Sequence, residues 1–342
     1  MTLRDEAAGF EEEARFHSLR RENDRLRADL KRRDDQLAEA LTRLDVLEGV
    51  DRLDPSPPKW AMPRRPKSDA VIVVAMLSDT HWDIIVRTED VAGVNEYDRT
   101  IATKRTKTWA EKLAGLPYAG PAADVQGLTL LWGGDMMTGP IDQAHMVDAE
   151  DTTLGTLLYW SEQAAAAISL LADAYDRVHI PVVVGNHGRQ TLKVRTNLKA
   201  RDNLDWHLAH LVRRQLVGDK RVTWQIDEAA DAEFTVFDRQ HVLTHGDQAR
   251  GGGGIGGIWP PLMRLTARKQ QRQASLGRPF DTLWMGHWHT ATFGAGDQFC
   301  VNGSLIGPDG YSVGLNLPLN PPEQIATFVT PGGIEWRTTI TV

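Results

Sequence analysis

The apolar positions of this chain fall in short unbroken runs, and each run stops at polar residues, most of them beside glycine. Val71 to Leu77 leads into Ser78-Asp79-Thr80-His81, Leu128 to Trp132 into Gly133-Gly134-Asp135, and Ile180 to Val184 into Gly185-Asn186-His187. His241 to Thr244 leads into His245-Gly246-Asp247, and Leu283 to Met285 into Gly286-His287-Trp288-His289. Continuous runs of this length predict strands buried on both faces. Phe234 to Phe237, close before His241 to Thr244, predicts a hairpin or neighbouring strands. Leu154 to Ala174, rich in Leu and Ala and free of proline, predicts a helix, and Thr191 to Leu216 predicts another. The tail over 297–342, rich in turns and β-branched residues, predicts further sheet. Strand and helix signals that alternate from residue 70 onward predict an α/β domain over 70–342.

Residues 8–50 follow a different period. No glycine interrupts Gly9 to Gly49, and a heptad frame places Phe16, Asn23, Leu30, Leu37 and Leu44 at a, and Leu19, Leu26, Arg33, Ala40 and Leu47 at d. That pattern predicts a coiled-coil helix over 1–50 and a homodimer joined through residues 8–50, with Asn23 setting the register. Arg33 weakens the seam, and a solvated or domain-packed helix is the alternative. Prolines 55, 57, 58, 63 and 66 predict a Pro-rich linker over 51–69.

Composition narrows the classes. The chain has 342 residues, a net charge of −7 and a single cysteine, Cys300. An intrachain disulfide and a Cys-rich zinc site are excluded, and Cys300 reads as a small buried residue near a strand. No apolar stretch is long enough to span a bilayer, and the polar N-terminus is unlike a signal peptide. A cytoplasmic protein with no membrane partner is expected.

The chemistry sits at the run ends. Asp79 and His81, two residues apart on an extended chain, face the same side and can reach one metal ion. Five strand ends could converge in the crevice that open α/β sheets form at their carboxyl edges. Carboxylate, imidazole and amide donors together suit Mn, Fe or Zn better than Mg or Ca.

Taken in order, Asp79-Thr80-His81, Gly133-Gly134-Asp135, Gly185-Asn186-His187, His245-Gly246-Asp247 and Gly286-His287-Trp288-His289 resemble the motifs of the calcineurin-like metallophosphoesterase superfamily. The resemblance spans roughly residues 70 to 305. It implies a β-sandwich flanked by helices with a two-metal site at its edge. Asp79, His81 and His289 would hold one ion, Asn186, His245 and His287 the other, and Asp135 would bridge them. It implies hydrolysis of a phosphoester by in-line attack of metal-bound hydroxide, with His187 as the catalytic acid facing the leaving oxygen.

Two departures bear on the branch. The acidic residue that often follows Gly-Asn-His is replaced by Gly188-Arg189, so any carboxylate near His187 must come from elsewhere. The Asp-Arg-Gly of phosphoprotein phosphatases is absent after Asp135. Two acid-free basic tracts adjoin the motifs: Arg189, Lys193, Arg195, Lys199 and Arg201, then Arg250, Arg264, Arg268, Lys269, Arg272 and Arg278. Arg264, Arg268 and Arg272 share one face if helical, and with Arg189 are candidate contacts to a nucleic-acid substrate. Gly251 to Gly257 could cradle phosphate or serve as a lid, and Trp259, Trp284 and Trp288 could stack on bases, though core packing is the default for tryptophan. The expectation is a nuclease similar to the repair-nuclease branch. The alternatives are a phosphomonoesterase or small-nucleotide hydrolase, or an inactive coiled-coil interaction protein.

Overall fold

The computed structural model describes residues 20, 22–27, 31–33, 58–62, 69–119, 124–141, 149–194, 197–251 and 256–342. The chain divides into a unit Met1–Leu53 and a unit Asp54–Val342. In the first unit the described residues are helical, and Leu26 is 59% exposed. The other heptad positions except Asn23 and Arg33 lie outside the described residues, as do 51–57 and 63–68 of the expected linker.

The second unit carries two sheets. The first has six strands: β1 (Ala70–Leu77), β2 (Asp124–Trp132), β3 (Val178–Val182) and β4 (Val222–Ile226) run parallel, while β10 (Glu323–Thr330) and β11 (Gly333–Thr341) add antiparallel at the β1 edge. All of β1 is buried, as its unbroken apolar run requires. The second sheet pairs the hairpin β5 (Asp231–Val236) and β6 (Arg239–Thr244) with β7 (Thr282–Met285), β9 (Phe299–Val301) and the short β8 (Thr292–Phe293). Side chains of both sheets interlock in one core, with Ile72, Val74, Met76 and Leu131 from one side and Phe234, Leu243, Trp284 and Cys300 from the other. The tail thus adds sheet as expected, and Cys300 is a buried residue on a strand.

Helices close the outer faces. On the first sheet lie α1 (Arg99–Ala119), α2 (Thr153–Tyr175) and α3 (Leu204–Gln215); α4 (Trp259–Ser275) packs on the second through Leu262 and Leu265; α5 (Gly310–Gly314) is a short turn of helix. Thr152 caps α2, its hydroxyl accepting from Gly155 N–H at 3.2 Å, and the left-handed Asp176 ends it.

Two expectations need correction. The helix expected from Thr191 begins only at Leu204, because Asn203 caps it with a 2.9 Å bond from Asp205 N–H. The described residues before it, 189–194 and 197–203, are not helical, and an Arg189–Asn203 bridge ties the two ends of this stretch. Part of the expected linker is packed: Ala61 is fully buried against the core, and its carbonyl accepts from Phe237 N–H at 2.6 Å. Trp284 takes the default of its kind and is core, with no face open for stacking.

Candidate metal centre

The carboxyl ends of β1, β2, β3, β6 and β7 meet at one rim of the sandwich. Asp79, His81 and His289 form one group whose ligand atoms lie within 4.8 Å of one another, and Asp135, His245 and His287 form a second. Each group therefore takes donors from both sheets. Asp79, His81, Asp135 and His245 are buried, while Asn186, His187, His287 and His289 are half-buried on the open side.

The backbone at this rim is held in an uncommon shape. Asp79, His81, Asp135, His287 and His289 all have left-handed φ, between 45° and 70°. Such conformations cost roughly 1–3 kcal/mol each and persist only where surroundings over-determine them. Gly185 and Gly286 permit the close approach. A Cβ on Gly185 would overlap the Asp135 carboxylate, and one on Gly286 would overlap that of Asp79.

The donor atoms converge. His81 Nε2 lies 3.3 Å from His289 Nε2, which lies 3.5 Å from Asp79 Oδ1. His245 Nε2 lies 2.9 Å from Asp135 Oδ2 and 3.1 Å from Asn186 Oδ1. His245 Nδ1 is 2.9 Å from the Gly133 carbonyl, so it carries the proton and leaves Nε2 aimed inward. His187 packs its ring edge-on to His81, with centroids 4.8 Å apart, and its backbone N–H donates to Asp135 Oδ1 at 2.6 Å.

Charge is concentrated here. Burial pushes the Asp135 carboxyl up, but the neighbouring His245 and His187 outweigh it and hold it well below the carboxylate range. Burial likewise opposes a proton on His245, yet the Asp135 carboxylate takes it up to about 10. His287 falls to about 4 through burial and repulsion from His245, and burial keeps His81 well below the histidine range. A divalent cation is the natural replacement for a proton shared in such a pair.

Residues with no motif hold these loops. Asp205, fully buried, accepts N–H groups of Asp135 and Gly185 on one oxygen, both at 2.9 Å, and of Met136 and Met137 on the other. Burial and the Asp135 charge push its carboxyl up to about 6. Asn203 donates to the Gly185 carbonyl at 2.8 Å. Asn203 and Asp205 fill the space a side chain at Gly188 would need. Asp83 accepts from Arg99, Thr156 and Trp160, which fastens the His81 loop to α1 and α2. Ser78 donates to Asp79 at 2.5 Å and is itself held by Asn302 and Gln324. A cap signal before an amphipathic helix is the one sequence feature that points to Asn203 and Asp205.

The candidate substrate residues divide. Arg189 turns inward, its guanidinium donating to the carbonyls of Asn186, Thr191 and Leu192, so it braces the loop that presents Asn186. Arg264, Arg268 and Arg272 lie on the exposed face of α4. Trp259 is 45% exposed, and Trp288 is half-buried beside His287. Residues 252–255 of the glycine stretch, and Arg195, lie outside the described residues. No helix among the described residues is long and apolar enough to cross a membrane.

No family model matches the chain, and no curated protein matches it. Several solved structures do. An archaeal phosphodiesterase aligns over 79% of this chain and 99% of its own, at 10% identity and a TM-score of 0.35. Vacuolar protein sorting 29 from Cryptosporidium parvum aligns over 80% and 99%, at 14% identity and a TM-score of 0.33. A predicted phosphoesterase from Streptococcus pneumoniae aligns over 79% and 97%, at 12% identity and a TM-score of 0.30. By its own ordered motifs, and by the two ligand groups they assemble at one rim, the chain resembles the calcineurin-like metallophosphoesterases.

Proposed function

We propose that the chain is a phosphodiesterase working with two divalent transition-metal ions, and that its substrate is nucleic acid. The observation that carries the reading is the pair of three-donor groups at one rim, joined by His187, whose ring packs edge-on to His81 of one and whose backbone N–H donates to Asp135 of the other. Asp79, His81 and His289 would hold one ion, Asn186, His245 and His287 the second, and Asp135 would lie between. The donors fit such ions: imidazole nitrogens aim inward, one of them oriented by a backbone carbonyl, and carboxylates supply the charge. Bound there, the ions would lower the pKa of water and offset charge on the phosphate oxygens. Manganese is the first choice, with iron or zinc as alternatives.

The chain's own residues supply the rest. His187, on the open side and tied through its N–H to Asp135, would pass a proton to the leaving oxygen. Asp205 and Asn203 would keep the loops of Asp135 and Asn186 at fixed separation.

The test is hydrolysis of a bis-aryl and a mono-aryl phosphate with added manganese, followed by digestion of linear and circular DNA. Turnover of the diester and of DNA supports the reading. Turnover of the monoester alone favours a phosphomonoesterase. No turnover with manganese, iron or zinc overturns it. Asp135→Asn should abolish activity and weaken both ions. Residues 8–50 would pair two chains, which size-exclusion chromatography with and without residues 1–50 checks.

A further inference from the structure

The two basic tracts are unlike once their partners are known. In the first, Arg189 binds carbonyls, Lys199 pairs with Asp247 at 3.1 Å, and Arg201 pairs with Glu228 at 2.6 Å. In the second, Lys269 pairs with Asp231 at 2.6 Å and Arg278 with Glu233 at 3.2 Å, both on the β5–β6 hairpin. Arg250, Arg264 and Arg268 have no carboxylate partner among the described residues. They line one cavity of about 420 Å³ together with Gln248, Pro261 and Leu265. Arg264 reaches the Arg250 carbonyl at 3.5 Å, which leaves most of its N–H donors open.

Guanidinium groups that converge without a counter-charge suit a phosphate, which accepts their forked donors two at a time. The cavity volume lies within the ordinary range of ligand sites. It also lies near the candidate centre. Arg250 follows His245 by five residues, and the Ala249 N–H closes a turn on the Gly246 carbonyl at 3.0 Å. The two Cα atoms are therefore less than about 17 Å apart. A strand advances about 3.4 Å per nucleotide, so the Arg250 end of the cavity is within about five nucleotides of the candidate ligand His245. Arg272 continues the row on the same exposed face, and successive arginines are about 6 Å apart along the helix axis. A small phosphoester has one cluster of charge and no use for such a row, whereas a nucleic-acid strand repeats its charge along its length.

We propose that the Arg250–Arg264–Arg268 cavity holds a non-scissile phosphate of a nucleic-acid strand, and that Arg272 extends its track. The proposal rests on the phosphodiesterase reading of the adjacent centre.

The experiment uses the full chain in EDTA, which suppresses metal-dependent cleavage, and follows a labelled single-stranded DNA by fluorescence anisotropy across a salt series. Arg264→Gln/Arg268→Gln should weaken binding about tenfold. It should also reduce the salt slope by about 0.7, the value of one phosphate contact on a single strand. Arg264→Lys/Arg268→Lys should keep the slope, because the charges remain. An unchanged affinity and slope in the Gln variant overturns the proposal, as does displacement of a bound dye by pyrophosphate with no DNA binding at low salt. Hydrolysis of a bis-aryl phosphate by the unaltered chain with manganese is measured beside it. Its failure sinks the reading of the metal centre and leaves the DNA-binding result to be judged alone.

Discussion

The carboxylate of Asp205 accepts the backbone N–H of Asp135 at 2.9 Å. The same group gathers Met136, Met137 and Gly185, so one side chain from α3 fixes the spacing of two loops that carry candidate ligands. Asp205→Asn turns an NH2 group toward donors that need an acceptor. We expect manganese affinity to fall about 10–100-fold, the usual effect of losing an outer partner of a ligand. Calorimetric titration with manganese reads this directly, and circular dichroism checks that the fold is retained. Unaltered affinity would show that the loops hold their places without Asp205.

Gly286 lies against Asp79 and Ser78, and a methyl group there meets the Asp79 carboxylate. Gly286→Ala should therefore displace Asp79 and lower affinity for the ion it shares with His81 and His289 more than for the other. Two-site analysis of manganese binding separates the two. Equal losses at both sites would contradict the local clash.

Lys269 and Asp231 form a nearly buried pair, with bonds of 2.6 and 2.7 Å between α4 and β5. Lys269→Met leaves the carboxylate buried without its partner and should destabilise the fold by about 3–5 kcal/mol. Lys269→Met/Asp231→Leu should recover most of that loss, since neither charge is then stranded. Urea denaturation of the single and double variants gives the comparison.

Burial holds His179 and His210 at about 4 and His241 at about 3. In the unfolded chain each takes up its proton near 6.5. Below that pH the unfolded state binds more protons than the folded one, so stability is full above about 6.5 and is lost as pH falls toward the folded values. Each group contributes a slope of up to about 1.4 kcal/mol per pH unit. Denaturation midpoints from pH 7.5 to 5 should fall, and His179→Gln/His210→Gln should show a shallower fall at the same metal content. Parallel curves for both proteins would contradict it.

Strands and candidate ligands were legible for a shared reason. Unbroken apolar runs mark buried strands, and the residues that end them arrive at one rim by topology alone. Helix α1 was not read, because its buried stripe of Ala102, Thr106, Trp109, Ala110 and Leu113 is mostly small or polar and Pro117 lies in its last turn. The stretch before α3 reads as helix because nothing in its composition records that Arg189 and Asn203 are tied together. Asp205 leaves only the cap signal of its helix, since its partners are main-chain N–H groups, which every sequence has. Arg268 and Lys269 are neighbours in the chain and read as one basic tract, yet one faces solvent and the other is buried on Asp231. Sign alone carries no information about facing.

Each ligand group draws on both sheets, Asp79 from the end of β1 and His289 from beyond β7, Asp135 from the end of β2 and His245 from the end of β6. A cation seated in either group is thus a rivet through the two halves of the sandwich. Stripping it should slacken that edge of the molecule first, while the contact of buried Ala61 with the β5–β6 turn, through the Phe237 N–H, stays in place. Chelation would then register as early amide exchange at the strand tips before any change in overall helicity.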